Sequence, residues 1–344
     1  MSHKKFPELK PLFLERMQKL LTNKKDFENY LEIIKNEPIN SIRCNTLKIQ
    51  PDELIKRLKE KVWKIKQPFK EYPEIIIVES QLQPGELGRS LEHQLGYYYI
   101  QEISSMLPIL ALKPKPNETF LDLCSSPGSK TTQAASFMEN TGTIIANEVN
   151  FGRIKILGSN LQKCGVTNVI LTKKEGRELC KKLREEDIFF DKILVDAPCS
   201  GEGTIRSSPK TLIMWNIKMI KSLSKLQKAL LSSAIEILNL NGEIVYSTCT
   251  HSPEENEEVV DYVLNKFKDE IKLEKISLPK ELKCREGIIN WGDNDNPLKK
   301  EVINNTKKFN PEIKKCIRIY PQDNDTEGFF ISKFKKIKEI NKNG

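Results

Sequence analysis

From residue 101 onward, short apolar runs and amphipathic stretches take turns with a regularity that leaves few possible architectures. Runs at 119–123, 143–147, 168–171, 191–195 and 243–247 read as strands, and 129–138, 151–164, 175–184 and 211–239 read as the helices between them. Strands separated by helices of this length pair in parallel through right-handed crossovers. The predicted fold class is therefore α/β, an open sheet with helices on both faces, over residues 101–338. The first 100 residues follow another pattern. Leu9, Leu12, Phe13, Met17, Leu20 and Leu21 recur at helical spacing, and residues 7–35 read as two helices. Strand-like segments follow at 41–47 and 73–78, with a helix opening at Pro51 between them. Residues 1–100 are thus expected to form a helical plus small α+β module.

Two further expectations concern the C-terminal third. Ser252, Pro253 and Glu255 have the spacing of a capping box and predict a helix start there. Residues 317–320 and 328–332 read as strands, and the polar segment 284–311 reads as a long surface loop.

Composition excludes several classes. No apolar stretch approaches the roughly 20 residues that span a bilayer, and Met1-Ser2-His3-Lys4-Lys5 is followed by no apolar run, which argues against a secretory leader. The eight cysteines include no C-x-x-C pair, so no metal site is expected. A chain of 344 residues needs no disulfide staples, so the thiols are expected reduced, in a cytoplasm. The net charge of +9 resides in the two flanks, 1–100 and 265–344, while the centre is close to neutral. Basic flanks around a neutral centre suit a catalytic unit whose edges meet a polyanion.

The first strand of the alternating region runs into Cys124-Ser125-Ser126-Pro127-Gly128-Ser129-Lys130. A strand, a Pro-Gly turn and a helix start present a cradle of backbone N–H groups. With a single glycine it is neither a G-x-G-x-x-G nor a P-loop, so a phosphate clamp is not expected. The next strand ends in Glu148, placed to accept from ribose hydroxyls, and Glu175 follows the third strand, where an adenine edge would lie. The ordered series fits a nucleoside cofactor without a pyrophosphate, such as S-adenosylmethionine.

Two later strands end in cysteine loops, Asp196-Ala197-Pro198-Cys199-Ser200-Gly201 and Ser247-Thr248-Cys249-Thr250. Carboxyl ends of strands in an open α/β sheet are where ligands bind, so two thiols and a carboxylate face one crevice. These are the parts needed to methylate carbon 5 of a cytosine. A thiolate adds to carbon 6, carbon 5 becomes nucleophilic, a carboxyl supports the ring nitrogen, and a second thiol assists release. The other six cysteines are read as small buried hydrophobes. His93 and His251 stay outside the mechanism, and Tyr97-Tyr98-Tyr99 is read as core or interface rather than a base-stacking platform.

Several segments now carry a resemblance, in order, over roughly residues 40–335: Ile42 to Lys48, Gly96 to Glu102 with Ser104-Ser105-Met106, Asp122 to Thr132, Asp196 to Gly203, Ser247 to Thr250 with Glu254 to Glu257, and Arg318 to Pro321 with Thr326 to Phe330. The chain resembles the Nop/Sun-type RNA cytosine carbon-5 methyltransferases, in particular compact archaeal-type enzymes that act on tRNA. The resemblance implies a Rossmann-like methyltransferase sheet behind an RNA-recognition-like module, S-adenosylmethionine as cofactor and RNA as partner. It implies Cys249 as the nucleophile, Cys199 as the aid to release, Asp196 as the holder of the cytosine and Lys130 between base and cofactor. Glu148, Arg153, Glu175 and Asp196, with the turn 124–129 and Lys130, would hold the cofactor. The compact chain points to tRNA, and a monomer is expected. A cytosine stacked in a helix cannot reach a thiol, so it must lie in a loop or be flipped out. The chain departs from the family pattern in the turn, where Ser125, Ser126 and Ser129 stand for the usual alanine, alanine and glycine, and at Glu175 where aspartate is usual and Gln322 where histidine is common. Ribosomal RNA as substrate and a non-catalytic RNA-binding factor are the competing readings.

Overall fold

The structure is a computed structural model and describes residues 6–292 and 306–340. Fifteen strands are labelled in chain order. Strands β1 (Asn40–Cys44), β2 (Ile65–Lys66), β3 (Ile75–Val78) and β4 (Tyr98–Ile100) form a small sheet of order β2-β3-β1-β4, all antiparallel. Its core holds Ile42, Leu54, Leu58, Ile76, Val78 and Tyr98, with Leu54 and Leu58 supplied by the helix Pro51–Glu60. The helices Pro11–Leu20 and Lys24–Ile33 do not share that core. Phe13, Met17, Leu21 and Tyr30 pack on Ile205, Leu212, Trp215 and Tyr320 from the later part of the chain.

The large sheet contains β5 (Thr119–Asp122), β6 (Thr143–Asn147), β7 (Val169–Thr172), β8 (Phe190–Asp196) and β9 (Leu238–Thr248), followed by β10 (Ile271–Glu274) and β11 (Arg285–Glu286). Among the described residues, β12 (Asn290–Gly292) and β13 (Thr306–Lys308) pair only with each other, and β14 (Ile317–Ile319) and β15 (Phe329–Lys336) complete the large sheet. Its order is β11-β14-β15-β9-β8-β5-β6-β7, with β10 on β15. Strands β5 to β9 are parallel, and β15 runs antiparallel to β9. The chain steps outward from β5 through β6 to β7, then returns to place β8 on the other side of β5. This reversal opens a crevice at the carboxyl ends of β5 and β8.

The central strands are apolar at successive positions because both faces are covered. Leu121, Ile193, Val195, Ile244 and Tyr246 point to one face, where the helices Gly176–Glu185, Ile217–Glu236 and Glu257–Lys266 lie. Phe120, Ile144, Leu194 and Val245 point to the other, under Ile103–Leu112, Ser129–Phe137 and Phe151–Cys164.

Three expectations are corrected. The single helix 211–239 is two, Lys210–Met214 and Ile217–Glu236, because Trp215 is extended and Asn216 caps the second by accepting from Met219 N (2.9 Å). The predicted capping box does not form, and the helix begins at Glu257. Ser252 Oγ instead donates to Glu202 Oε1 (2.8 Å), and Glu255 is drawn to Ser200 and Gln227. Segment 284–311 is not a bare loop where described: it contributes β11, β12 and β13 and buries Trp291 and Phe309, while 293–305 lie outside the described residues. No helix of the described residues is long and apolar enough to cross a membrane.

Candidate active site

Strands β8 and β9 run side by side with Asp196 level with Ser247, so the loops that leave them are neighbours. Cys199 Sγ and Cys249 Sγ come to 3.2 Å. The Cys199 thiol is held well above its ordinary value, first by the hydrogen bond with the Cys249 sulfur and then by burial. Asp196 accepts from Ser247 Oγ through Oδ1 (2.7 Å) and pairs with Lys130 Nζ through Oδ2 (2.8 Å). Lys130 Nζ also donates to Ser105 Oγ (2.9 Å) and lies 5.3 Å from the Phe329 ring centre. Thus four residues chosen from sequence, Asp196, Cys199, Cys249 and Lys130, converge on adjacent strand ends. Ser105, Ser247 and Phe329, which lie in the segments that carry the resemblance but were assigned no role, join them.

Buried groups beneath the thiols fix the two loops to each other. Glu202 accepts from Thr250 Oγ1 (3.0 Å), His251 N (3.1 Å), Ser252 Oγ (2.8 Å) and Trp215 Nε1 (2.6 Å). Glu255 accepts from Ser200 N (2.9 Å) and Gln227 Nε2 (2.8 Å), while Gln227 also reaches Pro198 O (2.8 Å). The residues on either side of Cys199 are thereby clamped. Burial pushes Glu255 up to about 7. Arg318 donates to both oxygens of Glu257 (2.6 Å each) and to His251 O (3.0 Å). His251 itself is buried, stacked on Tyr320 at 4.8 Å, and pushed down to about 3 by burial and by Arg318, so it is neutral packing. Gly203 is where three segments cross. Its N–H donates to Cys249 O (2.9 Å), and its carbonyl accepts from Gly328 N (2.8 Å).

The predicted cofactor turn lines a small pocket with Asp122, Cys124, Ser125, Ser126, Pro127, Ser129, Lys130 and Asp196. Ser125 N and Oγ donate to Asn147 O (2.9 and 2.8 Å), and Arg153 Nη2 donates to Ser126 O (2.7 Å). The positive φ of the turn, 104°, falls on Gly128, so Ser129 starts the helix with ordinary geometry and its departure from glycine costs no strain. Glu148 is buried at the tip of β6 and pairs with Arg153 (3.3 Å). Glu175 caps its helix by accepting from Glu178 N (3.2 Å). Asp122, missed as a site residue, is buried with Oδ2 accepting from Thr131 Oγ1 (2.7 Å) and Oδ1 unpartnered. Burial raises it to about 7. A cleft lined by Pro116, Glu118, Asp191, Lys192, Leu240 and Asn241 lies at the opposite end of the strands and is remote from the thiols.

Carboxylates at Asp122, Glu148 and Asp196, an unpartnered buried oxygen and no phosphate cradle fit a cationic nucleoside cofactor. S-adenosylmethionine carries an ammonium, a sulfonium and ribose hydroxyls, which such acceptors satisfy.

The Tyr97–Tyr99 cluster is packing. Tyr98 is buried and donates to Leu87 O (2.6 Å), and Tyr99 Oη donates to Pro127 O (3.3 Å). Gln322 Nε2 donates to Asp26 Oδ1 (3.0 Å), away from the thiols.

Comparison with known proteins agrees with the geometry. Residues 109–335 match the family of 16S rRNA methyltransferase RsmB/F, and residues 9–103 match the N-terminal domain of 16S rRNA methyltransferase RsmF. A tRNA (cytosine(49)-C(5))-methyltransferase of Pyrococcus abyssi is 40% identical over 96% of this chain and 97% of its own. Ribosomal RNA small subunit methyltransferase F of Aliivibrio salmonicida is 37% identical over 94% of this chain, which spans 63% of that relative's length. The crystal structure of NSun6 from Pyrococcus horikoshii with SFG, an S-adenosylmethionine analogue, superposes with a TM-score of 0.78 at 25% identity, over 96% of this chain and 98% of that one. The chain belongs to the RsmB/F family of S-adenosylmethionine-dependent RNA methyltransferases.

Proposed function

We propose that this protein methylates carbon 5 of a cytosine in tRNA, through a covalent bond from Cys249. The observation that carries the reading is the pair of sulfurs 3.2 Å apart on strand ends whose Asp196 is held by Lys130. Cys249 Sγ adds to carbon 6, and the electron pair of the 5,6 double bond moves toward carbon 5. Asp196, steadied by Lys130 and Ser247, meets the N3 edge of the ring and supports that shift. When bound, the cofactor supplies an electrophilic methyl group for carbon 5. The carbon 5 proton then passes to water, the double bond re-forms and Cys249 sulfur departs. Cys199, kept protonated, donates a hydrogen bond to the departing thiolate. Asp122 and Glu148 would accept from the cofactor's polar groups, with Arg153, Glu175 and the turn 124–129 lining the same rim.

The tRNA assignment is supported by the Pyrococcus abyssi relative, which matches along nearly its whole length. Ribosomal RNA is the second reading, supported by the RsmF-type relatives, which this chain matches over a smaller share of their length. We place the protein in the cytoplasm as a monomer, and divide it near residue 100, where β4 ends; one family match stops at residue 103 and the other starts at 109.

The test is transfer of labelled methyl to purified tRNA and, separately, to small-subunit ribosomal RNA, with the product nucleoside identified. The reading requires 5-methylcytosine in tRNA. Cys249→Ala should abolish both turnover and covalent capture, and Cys199→Ala should leave RNA bound to the enzyme. An adduct formed by Cys249→Ala, or normal release by Cys199→Ala, would sink the assignment of roles.

A further inference from the structure

Residues 149–174 hold Arg153, Lys155, Lys163, Lys173 and Lys174 and not one Asp or Glu. The run is bounded by Glu148 and Glu175, the two rim acids, and it interrupts a central region whose other residues are net acidic. It comprises the helix Phe151–Cys164 and β7, which is the edge strand of the large sheet.

At the start of that helix the Phe151 ring stands 58% exposed. Lys155 Nζ, one helical turn on, lies 4.4 Å from the ring centre, and Lys173 Nζ, from the loop after β7, lies 5.1 Å away. Two elements thus bring ammonium groups to one exposed aromatic ring. Among the described residues, Lys155 and Lys173 make no ion pair, whereas their neighbour Arg153 is committed to Glu148 and Ser126 O. The helix start is bound to the cofactor turn through Ser126 Oγ donating to Arg153 O (3.1 Å), which holds the first turn of the helix beside the crevice.

An exposed aromatic flanked by unpaired cations is what holds single-stranded nucleic acid: a base stacks on the ring while the ammonium groups swing to the phosphates. A cytosine drawn out of its stack leaves its neighbours locally single-stranded. We infer that Phe151, Lys155 and Lys173 form a platform for a single-stranded segment of the substrate RNA beside the target cytosine. The inference rests on RNA being the substrate. Charge favours RNA over a protein partner, since the run offers cations without a single counter-charge.

The experiment measures RNA affinity against salt for Phe151→Ala and for the double variant Lys155→Gln/Lys173→Gln, with cofactor affinity, turnover at saturating RNA and sedimentation alongside. Phe151→Ala should weaken RNA binding about tenfold. The double variant should lower the slope of log affinity against log salt by about 1.4, at roughly 0.7 per lost contact to single-stranded RNA. Cofactor affinity and turnover at saturating RNA should not change. Unchanged RNA affinity and slope in an active enzyme would overturn the platform alone. A loss of cofactor affinity with RNA binding intact would assign the ring to the cofactor rim instead. A dimer that Phe151→Ala converts to monomer, with RNA binding intact, would make the patch a contact between copies. No methyl transfer by the unaltered protein to any RNA would sink the reading on which the platform rests.

Discussion

Replacing Gly203 by alanine should disable catalysis while leaving cofactor binding intact. Its backbone lies outside the left-handed region, so glycine is required by space alone. A Cβ at Gly203 would stand 2.2 Å from Gly328 O and 2.9 Å from Cys249 O, where ordinary contact begins at 3.4 Å. Both oxygens are backbone, so no side chain can swing aside. The Cys199 loop, the Cys249 loop and the start of β15 must part by about 1 Å, and a misplacement of that size costs about 100-fold in rate. Relief of the overlap should cost a further 1–3 kcal/mol, roughly, in stability. Single-turnover methyl transfer at saturating RNA and cofactor reads the rate, calorimetry reads cofactor affinity, and urea unfolding reads stability. The cofactor turn belongs to other strands and should bind as before. A folded Gly203→Ala enzyme with a rate within about threefold of the unaltered one would refute the reasoning.

Two more outcomes follow from the buried charges. Arg318→Met strands Glu257 without its cation and removes a donor from His251 O, so urea unfolding should show a loss of about 3–5 kcal/mol, and a loss under about 1 kcal/mol would mean Glu257 finds another partner. Glu255 has its folded value raised from 4.5 to about 7, so its contribution to stability is full below the unfolded value and is lost as pH rises through about 7. Glu255→Gln removes that loss, and its melting temperature relative to the unaltered protein should climb between about pH 5 and about pH 8. A difference that stays flat with pH would show that Glu255 titrates normally.

What the sequence disclosed follows from the range of the forces involved. The parallel sheet was legible because strands buried on both faces are apolar at successive positions, as in Ile193 to Val195, and because helix-length stretches separate them. The site was legible where residues stand at strand ends: Asp196, Cys199 and Cys249 could be placed from β8 and β9, while the place of Lys130 came from the resemblance. It failed where a local signal was outbid by a distant partner. Ser252 and Glu255 have the right spacing to cap a helix, but Glu202 takes one and Ser200 with Gln227 takes the other, across 50 and 55 residues of chain. The unpartnered oxygen of Asp122 and the support of Lys130 by Ser105 depend on where a side chain ends once the sheet is built, and no spacing announces them. The two N-terminal helices were correctly found, but their attachment to Trp215 and Tyr320 could not be, since nothing in an apolar stripe names the surface that covers it.

Arg43 shows what the join between the two sheets demands. From β1 its guanidinium crosses to the helix that carries Lys130, donating to Ser129 O (2.7 Å) and Thr132 Oγ1 (2.8 Å). Asn45 does likewise to Cys164 O (2.8 Å), and Lys48 to Lys163 O (2.7 Å). A fragment begun at residue 101 would therefore be no trimmed enzyme. It would lose three side chains that brace two helices of the large sheet, one of them beginning a single residue before Lys130, and would bare the apolar surface beside them. Anyone grafting a different RNA-binding front onto this catalytic part would have to carry Arg43, Asn45 and Lys48 across with it.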